Sequence, residues 1–465
     1  MHVEVRNDNI LVMDPSPQLL SLVQAELKYT DKAKQYQLKR LSKNPWARNQ
    51  PFFKQLQLEV EGKLYTHDKN ALEFSSCFYE QYKSELGKVI DLRKATGSAI
   101  VVPWINTPYP LRDYQAEAVS LMLANYRGII NFATGLGKTL VATHFIKQYK
   151  KKALVVCPSD SVAKQFYKQF VSCFGKNKVG FYGGGKKDIS DITVGIAASI
   201  TKNIEGFKSA DIGVIIFDEV HHAPATTFYD IATGLGSVGK IFGLTATDYR
   251  SDGKDVMITG GCGSVLLRRD IKWGVDNKWL AEPYFIVREV PTTGRDIKDD
   301  KGKAYKEHVL NSDIMKAQIF NDALKLMNTG KSVLILVDEV AQGQELADKL
   351  EIPFATGVDK KSQDYVDQLN KGKIPGLVGT DSKVGEGTDT QNVDVLIMAN
   401  FAASKGPVTQ AIGRGLRKQG SKTRCLILDY IPLGSTMLSR HGYGRVKFYQ
   451  DITDKVKVIE YVKET

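Results

Sequence analysis

Only five of the 465 residues are cysteine, and no two of them (Cys77, Cys157, Cys173, Cys262, Cys425) make a C-x-x-C pair. Scattered and odd in number, they exclude a disulfide framework, a zinc ribbon and a cysteine-bound iron–sulfur cluster. Cys157 and Cys425 lie inside apolar runs, where a small buried hydrophobe is expected. Long apolar runs are missing as well: "GVIIF" and "SVLILV" are far too short to span a bilayer. The opening "MHVEVRNDNILVMDPS" has no charged segment followed by a long apolar stretch, so no secretory signal is expected and a reducing cytoplasm fits. Internal repeats and low-complexity segments are absent. Acid is in deficit: 52 Asp and Glu against 64 Lys and Arg leave a net charge of +12. Such a chain is drawn to anionic surfaces, of which nucleic acid is the commonest.

What is present is an ordinary globular composition, 42% hydrophobic and 25% charged, on a chain long enough for about two or three domains. From Ile129 to about Leu244, "GIINFA", "ALVVCP", "ITVGIA", "VIIFDE" and "IFGLTAT" read as buried strands separated by helix-compatible stretches. This alternation predicts an α/β domain with a largely parallel sheet, whose functional residues gather at the carboxyl ends of the strands. After the polar stretch "TTGRDIKDDKGK" a second series follows: "SVLILVDE", "GLVGTDS", "DVLIMANF" and "TRCLILDY". The expected fold is therefore two tandem α/β domains, 106–290 and 291–465, preceded by a small α+β domain over 1–105. In that first domain "LLSLVQAEL" reads as a helix and "LQLEVEGKLYTHD" as a hairpin about Glu61-Gly62-Lys63. Prolines in "VVPWINTPYP" mark a linker.

The stretch "NFATGLGKT" carries the tail of a phosphate-binding loop, with Phe132 where the strict pattern has its first glycine. Gly135 and Gly137 would turn backbone N–H groups toward a phosphate at a helix N-terminus. Lys138 would reach the β- and γ-phosphates and Thr139 would place its hydroxyl on Mg²⁺. The alternative is a plain strand–turn–helix connection with an exposed lysine. Eighty residues on, "VIIFDEVHH" ends a strand in two carboxylates. Asp218 would hold Mg²⁺ through its water shell and Glu219 would orient and deprotonate an attacking water. An acid-rich helix start is the competing reading.

Together these stretches resemble the DExH helicases of superfamily 2: "ATGLGKT" is similar to their motif I and "DEVH" to motif II. In that superfamily the first loop position is often not glycine. Others follow in order. "LRDYQAEAV" resembles the adenine-reading Q motif, with Gln115 as reader and Arg112 nearby, and "LVVCPSDSVAKQF" resembles motif Ia, with Pro158 and Ser159 facing a nucleic-acid backbone. "GLTATDYRSDG" contains Thr245 and Thr247, similar to motif III, which with His221 couples hydrolysis to the strand. "LVGTDSKVGEGTD" resembles motif V: Gly379 and Thr380 would contact the strand, Gly387 and Asp389 the nucleotide. "QAIGRGLRK" resembles motif VI, offering Gln410, Arg414 and Arg417, the two arginines one helical turn apart. The likeness runs from about Leu111 to Lys418, continues weakly to "GRVKFYQ", and is specific through the order and spacing of seven motifs. It implies two RecA-like domains that close on ATP and Mg²⁺, held by Thr134, Gly135, Gly137, Lys138 and Thr139, with arginines touching the γ-phosphate on closure.

Two departures stand out. Asp248 follows T-A-T where proline is usual, and Ile196 replaces a threonine, leaving Ser199 as the expected backbone contact. Motif II ends in histidine, motif Ia lacks P-T-R-E-L-A and Ala411 replaces an arginine, which steers away from DEAD-box RNA helicases. "TATDYRSDG" instead resembles the XPB and phage UvsW group, and the compact chain is similar to the UvsW-type branch-migration helicases. The resemblance implies action on branched DNA (forks, displacement loops, four-way junctions); the expected protein is a monomer, with a single-strand-binding protein or recombinase as candidate recruiters. Alternatives are a double-strand translocase that separates no strands, an RNA helicase, and a binding protein with a vestigial ATPase. In the first domain, "LKRLSKNPWARNQPFFKQ" interleaves Lys39, Arg40, Lys43, Arg48 and Lys54 with Trp46, Phe52 and Phe53. Cations there suit phosphates and an aromatic suits an exposed base, while the same aromatics suit the core of a small domain.

Overall fold

The computed structural model describes residues 1–106, 109–220, 225–246, 254–357, 359, 361–380, 390, 392–402, 405–418 and 422–462. Two compact units emerge: Met1–Phe132 with Gly137–Arg268, and Ala133–Leu136 with Arg269–Thr465.

In the first unit eight strands form one sheet, in the spatial order Lys186–Lys187, Val179–Gly183, Ile192–Ile196, Ala153–Cys157, Val214–Asp218, Lys240–Thr245, Arg127–Phe132, Val265–Arg269. The strands from Val179–Gly183 to Arg127–Phe132 run parallel. Their β-branched and aromatic residues are buried on both faces, as helices on either side of a parallel sheet require. The register sets Ile196 beside Cys157, Asp218 beside Leu244 and Thr245 beside Asn131. The ends of five parallel strands thus make one continuous edge. This is the RecA-like α/β arrangement expected.

The N-terminal residues build a mixed sheet, Tyr65–Asp68, Ala71–Ser75, Asn9–Met13, His2–Val5, Ile90–Asp91, plus a two-stranded ribbon of Lys28–Thr30 with Glu61–Lys63. Helix Pro17–Glu26 lies where "LLSLVQAEL" predicts it. The expected hairpin does not form. Pro51–Glu59 is a helix begun by Pro51, and its buried residues Phe53 and Leu56, followed by Val60, recur at helical spacing. The hairpin sits one step later, Tyr65–Asp68 against Ala71–Ser75.

This N-terminal layer shares a core with the first α/β sheet rather than standing apart. Its apolar cluster includes Met257, with Val256 and Tyr229 packed against it. Arg127, buried at the start of its strand, donates to the carbonyls of Asn7, Gly236, Val238 and Gly239. The expected linker is likewise laid down on the first unit. Trp104 stacks on Phe174 at 5.2 Å and the Ile105 N–H donates to the Cys173 carbonyl. An aromatic among prolines here is an anchor, which a boundary at 105 does not anticipate.

The second unit holds a wholly parallel seven-stranded sheet: Phe354–Ala355, Gly376–Thr380, Val333–Val337, Val395–Ala399, Arg424–Pro432, Glu282–Val290, Val456–Ile459. Glu282–Val290 pairs along its full length with Arg424–Pro432. The second sheet therefore claims a strand from the N-terminal side of the expected boundary at 290. All five cysteines are free and buried, and no helix of the described residues is long and apolar enough to cross a membrane.

Candidate active site

Strand Arg127–Phe132 is buried throughout, and Phe132 meets Tyr114 edge-on at 5.3 Å. The missing glycine is thereby explained: its position is the last core residue of a strand, where a large apolar side chain is wanted. The Leu136 N–H then bonds the Ala133 carbonyl at 3.1 Å, closing a turn. Gly135 (φ 92°) and Gly137 (φ 85°) take left-handed backbone that turns successive amides the same way. A Cβ on Gly137 would lie 2.4 Å from the Gln115 amide nitrogen. Helix Lys138–Tyr149 starts at once, and its cap residue has no side chain to occupy the first amides. Thr139 stands in that first turn.

Lys138 folds back inside its own unit. Its ammonium donates to the Phe132 carbonyl at 3.2 Å and pairs with Glu219 at 3.0 Å, both side chains largely buried. Glu219 follows strand Val214–Asp218 in left-handed backbone, φ 47°. A non-glycine residue there is strained, a state that persists where the surroundings over-determine it and that clusters at functional sites. The twist sends the carboxylate to Lys138 and to the Ala246 N–H at 3.4 Å. Asp218 is only 5% exposed. Burial and the adjacent Glu219 carboxylate push the Asp218 pKa above the ordinary carboxylate range, against the pull of Lys138. Two carboxylates facing one lysine leave the group short of positive charge. A divalent cation beside Asp218 and the Thr139 hydroxyl fits that donor set.

Gln115, nearly fully buried, lies against this loop at Gly137. Its carbonyl oxygen accepts from the Arg112 N–H at 3.0 Å, while its amide and the Arg112 guanidinium both donate to the Tyr114 hydroxyl, at 3.4 and 3.2 Å. Tyr114 thus sets the glutamine's orientation, a role not drawn from the sequence although the residue immediately precedes it. Thr245 ends the strand beside Asp218 and is fully buried. His221 and Thr247 lie outside the described residues. Farther along the same edge, Pro158 and Ser159 follow strand Ala153–Cys157, and Ser199 sits in the short helix after Ile192–Ile196, all three partly exposed.

In the second unit, Gly379 and Thr380 end the strand next to the sheet edge and are buried. Gly387 and Asp389 lie outside the described residues. Gln410 and Arg414 are buried on helix Lys405–Gly415. Arg417 lies two residues past that helix but still one turn on from Arg414. The helix stops at Gly415, and the Arg417 N–H bonds the Arg414 carbonyl at 3.3 Å. The weakly matched "GRVKFYQ" hides a buried network: Arg445 makes two bonds to Asp429, at 2.7 and 2.9 Å, Tyr449 donates to the same carboxylate, and Arg445 also holds the Ala402 carbonyl ahead of the Gln410 helix.

With this geometry established, comparison with known proteins is informative. Residues 108–250 match the family described as type III restriction enzyme, res subunit. The chain is similar to the ATP-dependent DNA helicase uvsW of Enterobacteria phage T4, 24% identical over 380 residues, covering 73% of this chain and 74% of that one. It is also similar to the Rad25 protein of Halobacterium salinarum, 28% identical over 334 residues, 68% of this chain and 54% of the relative. Residues 108–250 and the relatives named as helicases agree with the resemblance to the superfamily 2 helicases. The chain's match spans about half the length of the Rad25 relative, 54%. A fragment of an HsdR subunit of a type I restriction enzyme from Vibrio vulnificus shares the fold, with a TM-score of 0.57 at 20% identity over 77% of this chain and 70% of the fragment.

Proposed function

We propose that this chain is a superfamily 2 helicase, an ATP-driven DNA motor that unwinds and migrates branched DNA. The observation that carries the reading is the strained Glu219, held between Lys138 and the Ala246 amide at the carboxyl edge of a parallel sheet. In this reading the Gly135–Gly137 turn and Lys138 bind the phosphates of ATP, with the Lys138–Glu219 pair parting as phosphate takes the lysine. Glu219, so released, orients a water and accepts its proton. Thr139 and Asp218 would hold Mg²⁺, which would supply neutralisation of phosphate charge. Gln115 and Arg112 bind the base, Gln410, Arg414 and Arg417 with Gly387 and Asp389 complete the nucleotide contacts, and His221, Thr245 and Thr247 couple them to the strand. Pro158, Ser159, Ser199, Gly379 and Thr380 face the DNA backbone.

The Ala246 contact gives the coupling a physical basis. Any shift of the Glu219 carboxylate on ATP binding is felt at once by the backbone after Thr245. The branched-DNA part rests on the resemblance of "TATDYRSDG" and its neighbouring motifs to the UvsW-type branch-migration helicases. A second reading, a translocase that tracks duplex without opening it, is favoured by the restriction-enzyme family match over 108–250. Displacement of a labelled arm from a protein-free four-way junction separates the two. The proposal expects ATP-dependent arm release that Lys138→Ala abolishes. Junctions left intact, with triplex strands stripped from duplex, would decide for the translocase.

A further inference from the structure

Between Lys32 and Leu58 the chain carries seven lysines and arginines and not one acid. Three helices, Lys32–Leu41, Pro45–Arg48 and Pro51–Glu59, fold this segment with little burial: Ala47, Phe53 and Leu56 are covered, and the first helix buries no residue. Phe53 alone of the aromatics serves the core. Tyr36 is 68% exposed, Trp46 67%, and Phe52 is exposed as well. On the first helix Lys32, Tyr36, Lys39 and Arg40 fall at i, i+4, i+7 and i+8, which puts a phenol among cations on one face. Lys34 is tied to Glu59 at 2.6 Å. Among the described residues, Lys32, Lys39, Arg40, Lys43 and Lys54 have no acidic partner.

Exposed rings beside unneutralised cations match one ligand chemistry closely. Phosphates take the cations, and base faces take the rings. A closed duplex offers only the first, because its bases are already stacked on one another; an unpaired strand offers both. We propose that these helices form a platform for unpaired DNA, with Trp46 and Tyr36 stacking on bases at the mouth of a branch. The proposal deepens the DNA-motor reading above and rests on it. The platform is also fixed to the catalytic sheet. Asp31 caps the first helix by accepting from the Lys34 N–H at 3.1 Å, and its other oxygen holds Lys254 at 2.7 Å. Lys254 itself caps helix Asp255–Cys262, in the same unit as the phosphate loop.

The test uses the full chain without nucleotide, titrated onto a blunt duplex and onto a forked duplex carrying a fluorescent aminopurine in its unpaired arm. Trp46→Ala and Tyr36→Ala are expected to weaken fork binding roughly tenfold each, the scale of one lost base stack, and to leave duplex binding within about twofold. They should also abolish the aminopurine signal. Both side chains are exposed, so an unchanged melting temperature should accompany the loss. Equal weakening on fork and duplex would overturn the stacking claim and leave a phosphate surface. Unchanged binding to both would overturn the platform altogether, as would loss of binding to vesicles of phosphatidylserine in phosphatidylcholine with fork binding intact. Because binding is read without ATP, a protein that hydrolyses none would sink the motor reading while this result still stands.

Discussion

At the scale of single residues, the site turns on a conformation rather than on a composition. An Asp-Glu pair at a strand end is common, but a glutamate in left-handed backbone is not, and here it carries the carboxylate to Lys138 and Ala246. Glutamine at position 219 keeps the shape and an oxygen to accept the Ala246 N–H while removing the base. Glu219→Gln is therefore expected to lower the hydrolysis rate about a thousandfold, within the usual range for losing a general base, and to leave ATP and DNA binding within about threefold. Rapid-quench turnover alongside equilibrium binding checks this. A variant that still turns over at a tenth of the normal rate would remove Glu219 from the proposed role.

At the scale of elements, legibility followed locality. The strand–turn–helix of "NFATGLGKT" and the carboxylate pair at the end of strand Val214–Asp218 were readable because each is written in consecutive residues. The N-terminal docking was not, since it depends on contacts such as Ser75 Oγ to the Gly260 carbonyl, 2.8 Å apart across 185 residues of chain. The apolar alternation of "LQLEV" suited a strand as well as a helix until Pro51 and the buried Phe53 and Leu56 decided it. Exposure of Trp46 was invisible too, as composition cannot say which aromatics a small layer fails to cover.

The joint between Asp31 and Lys254 offers a test at this scale. Burial raises the Asp31 pKa, but the bonds from Lys254 and the Lys34 and Ala33 amides outweigh it and hold the group below its ordinary 3.8. A depressed carboxylate contributes stability above its unfolded pKa and loses it as pH falls through the folded one. Asn caps helices as well as Asp does, so Asp31→Asn isolates the ion pair with the largely buried Lys254. It is expected to cost about 2–3 kcal/mol at neutral pH, shrinking as pH drops below about 4. Chemical denaturation across pH measures the difference; a cost that does not change with pH would show that the pair contributes nothing.

At the scale of the molecule, one unit carries Lys138, Asp218, Glu219 and the basic platform, and the other carries Gln410, Arg414 and Arg417. A motor needs both, and it needs DNA to govern hydrolysis. The most direct measurement is steady-state ATP turnover at equal phosphate concentrations of single-stranded DNA, linear duplex, four-way junction and single-stranded RNA, with Lys138→Ala beside each. The account predicts strongest stimulation by the junction, weaker stimulation by duplex, and none in the variant. Turnover stimulated by RNA alone, or no turnover on any strand, would contradict it.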